Sequence, residues 1–320
     1  MATTYTLSDL TIIVPGKDAQ ASIEKTLNSL EPLMAAGGSC ILVNDGSTDA
    51  TGEIMGRFAT TWDKAQLISF ETGGGAGKAR NAGLGQTRTA LVGSVDSDDW
   101  VGAEYYPALV AQMNADPEVD FVRSHYLECR GNKRNIIRAP FEVVNTAFDP
   151  RLAVMPDDRP TMVDHPQMWA GIYAMDFLDR HDIRYDPLHT AEDRIINWKT
   201  QILGRKMVVA EEFRFYYRRD HNVSLTAVGD DRQLDFLQAM QNVIGFLVNE
   251  GHERYLPKAI RQLLALICFH IERQGRLEPA TRKKLVTGAA HLLALVPTRE
   301  LEAALLRIDD TRRNTIRGLI

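Results

Sequence analysis

The sequence predicts an α/β protein, a mostly parallel sheet flanked by helices, followed by a C-terminal α-helical module. Three observations predict it. Short apolar runs alternate with amphipathic stretches over residues 10–100, the pattern of βαβ units. Every unusual polar cluster there follows an apolar run, where parallel sheets place their ligands. From about Asp230 the strand signal stops, and leucine and alanine recur at helical period.

The elements follow in order. Leu10–Val14 is a β-branched run ended by Pro15, hence a buried strand. Ala19–Leu30 carries Ile23, Leu27 and Leu30 at helical spacing. Ile41–Val43 is a second strand, and Ser47, Thr48 and Asp49 offer caps to a helix over Gly52–Ala59. Leu67–Phe70 is a third strand, Lys78–Arg88 a helix, and Ala90–Val95 a fourth strand. Strands are expected over Asp120–His125 and Asn135–Ala139, loop over Pro140–Pro160, and helices over Met168–Arg180 and Thr190–Leu203. Lys206–Tyr217 is expected to end in a strand. The tail reads as helices over Leu234–Val248, Tyr255–Gln274, Thr281–Leu295 and Leu301–Ile308.

Composition bounds the function. The chain has 320 residues, is 44% hydrophobic and carries a net charge of −5, so no basic footprint marks a nucleic-acid partner. Its three cysteines, Cys40, Cys129 and Cys268, are widely spaced and suit neither a disulfide framework nor a zinc site. The N-terminal apolar run is too short for a signal peptide, and no stretch approaches the ~20 apolar residues that span a bilayer. The expected location is cytoplasmic, with a peripheral place at the inner membrane face left open.

Five clusters carry candidate chemistry. Asp96, Ser97, Asp98, Asp99 and Trp100 follow the fourth strand, and carboxylates packed this closely repel unless a cation or solvent offsets them. Mn2+ or Mg2+, bridging to phosphate oxygens, is one solution; a solvated acidic turn is the other. Asp45 and Gly46, after the second strand, can meet a base or ribose, or form a simple turn. Gly73–Gly77 precedes Lys78 and Arg80, yet Thr72 and Ala79 stand where a phosphate-binding loop of the Walker type needs glycine and serine or threonine. What remains is a glycine loop with two cations that could face a diphosphate. Glu192 and Asp193 open a helix, where acidic residues also suit the helix dipole. The fifth, Tyr216–Ser224, joins Arg218, Arg219 and His221.

Taken together, the segments TIIVPGKDAQASIEKTLNSL, ILVNDGSTDAT, GKARNAGL, VGSVDSDDW, MWAGIYAMDFLDRHDIRYDPLHTAEDRIINW and FRFYYRRDHNVSLT, in this order, resemble the family 2 glycosyltransferases of the Rossmann-like GT-A fold. The resemblance implies inverting transfer from a nucleotide-diphosphate sugar, usually UDP-linked, with Mn2+ or Mg2+. It implies that Pro15, Lys17 and Asp18 flank the base, that Asp45 bonds it, and that Lys78 and Arg80 approach the base or diphosphate. Asp96 would orient the acidic motif, Asp98 hold the ribose and metal region, and Asp99 coordinate the metal, with His221 a further contact. Asp193 would be the general base. His165, Trp169 and Glu192 would shape the acceptor side. Lys17 and Asp18 depart from the aromatic and asparagine usual in the family, and Asn44 replaces the first of two aspartates.

The expected organisation is a catalytic domain over 1–228, with a nucleotide-sugar half at about 1–100 and an acceptor half at about 101–228, and helices over 229–320. The expected partners are a sugar donor and a glycan or glycolipid acceptor, in polysaccharide or glycoconjugate synthesis. An inactive nucleotide-binding scaffold and a nucleotidyltransferase are the competing readings. For the helices, the alternatives are an accessory bundle, a homo-oligomer contact, or a membrane surface served by Arg312, Arg313 and Arg317 with Ile316, Leu319 and Ile320.

Overall fold

A computed structural model describes residues 4–219 and 228–320. The first strand, β1 (Leu10–Gly16), has every residue buried. Leu10, Ile12, Ile13 and Val14 are sealed from solvent, and each contributes about 2 kcal/mol by leaving water. It leads into α1 (Ile23–Asn28), α2 (Glu31–Ala35), β2 (Ser39–Asn44), α3 (Thr51–Thr61), β3 (Ala65–Ser69), α4 (Ala76–Gln86) and β4 (Leu91–Ser94). The helix expected over Ala19–Leu30 thus begins only at Ile23 and breaks at Ser29, whose hydroxyl bonds back to the Thr26 carbonyl. Asp49 does serve α3: its Oδ1 accepts from the Thr51 amide at 2.9 Å.

Next come β5 (Trp100–Val101), α5 (Tyr105–Met113), β6 (Val119–Ser124), β7 (Tyr126–Arg130), β8 (Lys133–Ile137), β9 (Gly171–Ala174), α6 (Met175–Arg180), α7 (Asp193–Leu203), β10 (Lys206–Ala210) and β11 (Phe215–Arg218). The seven-stranded sheet has the order β10-β6-β9-β4-β1-β2-β3, and a four-stranded sheet has the order β5-β11-β7-β8. In the large sheet only β9 runs antiparallel to its neighbours, β4 and β6. It corrects the helix expected over Met168–Arg180, which starts only at Met175. All four residues of β9 are buried, so no alternation marks it as a strand. Gly171 fits this place because a Cβ there would strike the Val122 carbonyl oxygen. The stretch Lys206–Tyr217 likewise holds two strands, one in each sheet.

The tail forms α8 (Asp235–Asn249), α9 (Leu256–Glu272), α10 (Pro279–Leu295), α11 (Thr298–Leu305) and α12 (Asp310–Arg317). These build a second core, which Ile195, Trp198 and Ile202 of α7 join, whereas Ile196 belongs to the core of the large sheet. Trp198 Nε1 donates to Gln262 Oε1 of α9 at 2.9 Å. The cations considered for a membrane surface are engaged locally: Arg312 with Asp309, Arg313 with Asp310 and Arg317 with Glu302. Ile316 is fully buried and Leu319 packs on the second core, whereas Ile320 is exposed. Among the described residues no helix is long and apolar enough to cross a membrane.

Candidate active site

The loops after β1, β2 and β3 meet at the carboxyl edge of the large sheet, and polar side chains tie them to one another. Asp18 takes a left-handed backbone (φ 48°), and its Oδ1 accepts from the Thr48 amide at 2.7 Å. Its amide donates to Ser47 Oγ at 3.1 Å. Asp45 is buried, and its two oxygens accept from the amides of Gly74 at 2.7 Å and Gly75 at 2.9 Å. Expected at the nucleobase, Asp18 and Asp45 are thus both committed to loop geometry. Each Asp45 oxygen keeps a second lone pair for a ligand. Lys17 Nζ and the Lys78 side chain lie against the faces of Gly73 and Gly74 where side chains would otherwise stand. Two cations therefore flank the glycine loop, and Pro15 is buried in β1 beside Val43 of β2.

Arg80 is the joint of the site. It projects from α4, is 5% exposed, and its guanidinium reaches Asp96 at 2.5 Å and Glu192 at 2.5 Å. These two carboxylates hold its pKa well above the usual value despite burial. One side chain thereby ties the acidic motif after β4 to the start of α7. Close approach of α4 makes this possible: a Cβ on Gly77 would collide with the Asp186 carbonyl oxygen. The glycine loop is therefore a packed contact as well as a loop.

Asp99 is fully buried, and its Oδ1 accepts from the Arg218 amide at 2.7 Å. Its Oδ2 has no hydrogen-bond partner among the described residues. Burial and the charges of Asp98 and Asp96 push its carboxyl well above the ordinary range. A divalent cation would satisfy such an oxygen and relieve the repulsion, and carboxylates are the hard donors that Mg2+ and Mn2+ take. Asp98, beside it, is partly exposed. No group of three or more such ligands is assembled among the described residues. A cation held by one or two carboxylates, with phosphate oxygens completing its shell, fits this donor set. His221 lies outside the described residues.

Asp193 stands first in α7, partly exposed, after Ala191 in a left-handed conformation (φ 58°) unusual for a residue with a Cβ. Burial, then the Glu192 charge, raises its pKa to about 7. A carboxylate so poised suits proton abstraction near neutral pH.

His165 and Trp169 lie deeper than expected of substrate contacts. His165 is 5% exposed and stacks on Tyr126 at 5.5 Å, and burial with the Arg123 charge lowers its pKa to about 3. Trp169 stacks on Phe215 at 4.3 Å and belongs to the main core.

Sequence reasoning missed Arg123, which is fully buried in β6. It donates to the His165 carbonyl at 2.7 Å, the Gln167 carbonyl at 3.1 Å and Asn197 Oδ1 at 2.9 Å, fixing the 165–170 loop to α7. An arginine inside an apolar strand was the available signal. Also missed was Asp235 of α8, whose Oδ2 accepts from the amides of His189 at 2.8 Å and Thr190 at 3.0 Å, just before the Glu192–Asp193 pair.

Comparison with known proteins agrees with this construction. The family model described as glycosyl transferase family 2 matches residues 11–176. The chain is 24% identical over 343 residues to the uncharacterized glycosyltransferase EpsJ of Bacillus subtilis, covering 97% of each. It is 25% identical over 286 residues to the glycosyltransferase GlyA of Streptococcus pneumoniae, covering 86% of this chain and 40% of GlyA, so it spans less than half of that relative. The crystal structure of Staphylococcus aureus TarS 1–349 in complex with UDP superposes with a TM-score of 0.73 over 97% of this chain and 90% of that one, at 19% identity, a likeness of fold. With its acidic motif after the fourth strand, its Arg80 joint and its mixed seven-stranded sheet, the chain belongs to glycosyl transferase family 2 and has the GT-A fold.

Proposed function

We propose that the protein is an inverting glycosyltransferase. It moves a hexosyl or N-acetylhexosaminyl group from a UDP-linked sugar to a hydroxyl of a glycan or glycolipid, in polysaccharide or glycoconjugate synthesis. The observation that carries this reading is Asp193, its pKa raised to about 7, at the far end of the Glu192–Arg80–Asp96 bridge from the acidic motif. The UDP complex of TarS 1–349 supports a uridine nucleotide as donor.

In this reading the donor diphosphate lies over the glycine loop between Lys17 and Lys78, and Asp45 holds that loop from below. Asp98 and the unpartnered Oδ2 of Asp99 would hold Mn2+ or Mg2+, which when bound would offset the charge gathering on the leaving diphosphate. Asp193 accepts the acceptor hydroxyl proton as that oxygen bonds to the anomeric carbon. The bond to the diphosphate breaks on the opposite face, and its electron pair leaves with the nucleotide. One base and one charged cradle suffice, and a single displacement inverts the centre. Arg80 pairs with both Asp96 and Glu192 and fixes the span between cradle and base, as a positioning residue.

Asp193→Asn tests the reading. Donor binding by calorimetry with Mn2+ is expected to stay within about twofold, and transfer to fall by at least about 10²-fold, the range for removing a general base. Full transfer by the variant would remove Asp193 from this role.

A further inference from the structure

The outer face of the small sheet carries charges that the transfer reading leaves unused. Trp100 stacks on Tyr216 at 5.3 Å with its ring 7° from parallel. Three cations from three elements surround the same indole: Lys25 Nζ of α1 lies 3.0 Å from the ring centre, Arg218 Cζ of β11 lies 5.4 Å away, and Arg134 Cζ of β8 lies 5.8 Å away. Strand register explains the convergence. Arg218, Cys129 and Arg134 are paired across β11, β7 and β8, and Trp100, Tyr216, Leu127 and Ile136 form the next row on the same face.

None of these cations forms an ion pair among the described residues, although carboxylates neutralise most other cations of this protein. Among the described residues the Arg134 guanidinium bonds the main-chain carbonyls of Gly131 and Lys133 and no carboxylate. Lys25 and Arg134 are exposed, and Arg218 is partly so. Burial, then Arg218 and Arg134, lower the pKa of Lys25, so the three side chains repel one another. The ring face offsets part of that cost. A multiply charged anion offsets the rest, and guanidinium groups match phosphate oxygens in pairs.

We propose that this face is a binding site for phosphate groups carried on a soluble chain, with Lys25, Arg134 and Arg218 holding the phosphate and Trp100 and Tyr216 forming an apolar floor for the units beside it. A chain is favoured over a membrane because the cations ring one indole. Among the side chains named on this face, only Ile136 is a largely exposed apolar one, at 54%, too little to enter a bilayer. Trp100 directly follows Asp98 and Asp99, so the site adjoins the acidic motif. The proposal does not depend on the transfer reading.

The test uses the full chain, tripolyphosphate as the probe and tryptophan emission as the readout. A saturable change is expected, absent in Trp100→Phe, which separates it from Trp62, Trp169 and Trp198. The double variant Lys25→Gln/Arg134→Gln is expected to bind at least tenfold more weakly and to melt at the same or a higher temperature. Unchanged affinity in the double variant would overturn the proposal, since the probe would then sit elsewhere, as over the glycine loop. So would a clearly lowered melting temperature with unchanged affinity, because the cations would then serve packing. Co-sedimentation with phosphatidylglycerol vesicles without any response to tripolyphosphate would overturn it in favour of a membrane patch.

Discussion

The proposed donor end and the proposed base end of the site are held by different means. At the donor end, loops close in sequence are stapled by short polar side chains: Asp18 to Thr48, and Asp45 to Gly74 and Gly75. At the base end, α7 is held by groups far along the chain. Asp235 clamps His189 and Thr190, Asn242 bonds Asp186 at 2.9 Å, and Trp198 is buried against α9. The difference teaches that the C-terminal helices hold in place the segment that carries the proposed base. They build the wall on which the proposed base stands.

The comparison breaks most visibly at Trp198. Trp198→Ala opens a cavity between α7 and the helical core and is expected to cost about 3–5 kcal/mol. Denaturant titration followed by far-UV circular dichroism checks it. A loss below about 1 kcal/mol would mean that the helices merely adjoin α7.

Arg80→Met strikes the joint between the two ends. It leaves Glu192 largely buried and unpaired, and Asp96 partly so. The expected cost is about 2–3 kcal/mol, below the full range for a buried pair because Asp96 is partly solvated. Transfer is expected to fall more than donor binding, and comparing kcat with donor affinity separates the two.

The pH profile sharpens the base end. With Asp193 raised to about 7, kcat/KM is expected to climb tenfold per pH unit below about 7 and to level off above it. Glu192→Gln removes the second cause of the shift and should move that limb to lower pH. The sign for stability is opposite. The fold favours the neutral acid relative to the ordinary 3.8, so this group's contribution is lost as pH rises from about 4 to about 7. Asp193→Asn is therefore expected to melt no lower than the wild type at pH 8, which thermal unfolding measures.

The smallest effects distinguish the clamps. Asp235→Ala frees the amides of His189 and Thr190, Asp18→Ala frees the amide and hydroxyl of Thr48, and each should cost about 1 kcal/mol. The first is expected to lower kcat several-fold at unchanged donor affinity, and the second to weaken donor binding at nearly unchanged kcat. The reverse pattern would erase the distinction between the ends.

The same contrast explains what could be read from the residues alone. The donor end was legible because each strand and its following loop are contiguous, so β1 and the Asp96–Asp99 motif announce themselves locally. The roles of Asp18 and Asp45 were less so, because a carboxylate that bonds a base and one that bonds a loop amide look alike in sequence. β9 was hidden because a strand buried on both faces shows no alternation. β5 was hidden because its two residues are a strand only through pairing with β11, more than a hundred residues away. Arg123 and Asp235 act on segments distant in sequence, and no local pattern encodes such a reach.

Gly77 has a consequence for how this site can vary. Because α4 rests on the Asp186 carbonyl with no room for one more carbon, that contact works as a spacer gauge. Arg80 hangs three residues along the same helix, and its reach to Glu192 assumes that clearance. A methyl group at position 77 would meet the Asp186 carbonyl and the Glu192 side-chain stem, push the helix outward and lengthen the span from glycine loop to proposed base while leaving every charge in place. In the proposed transfer, the distance over which a sugar is handed across is thus set by a missing side chain.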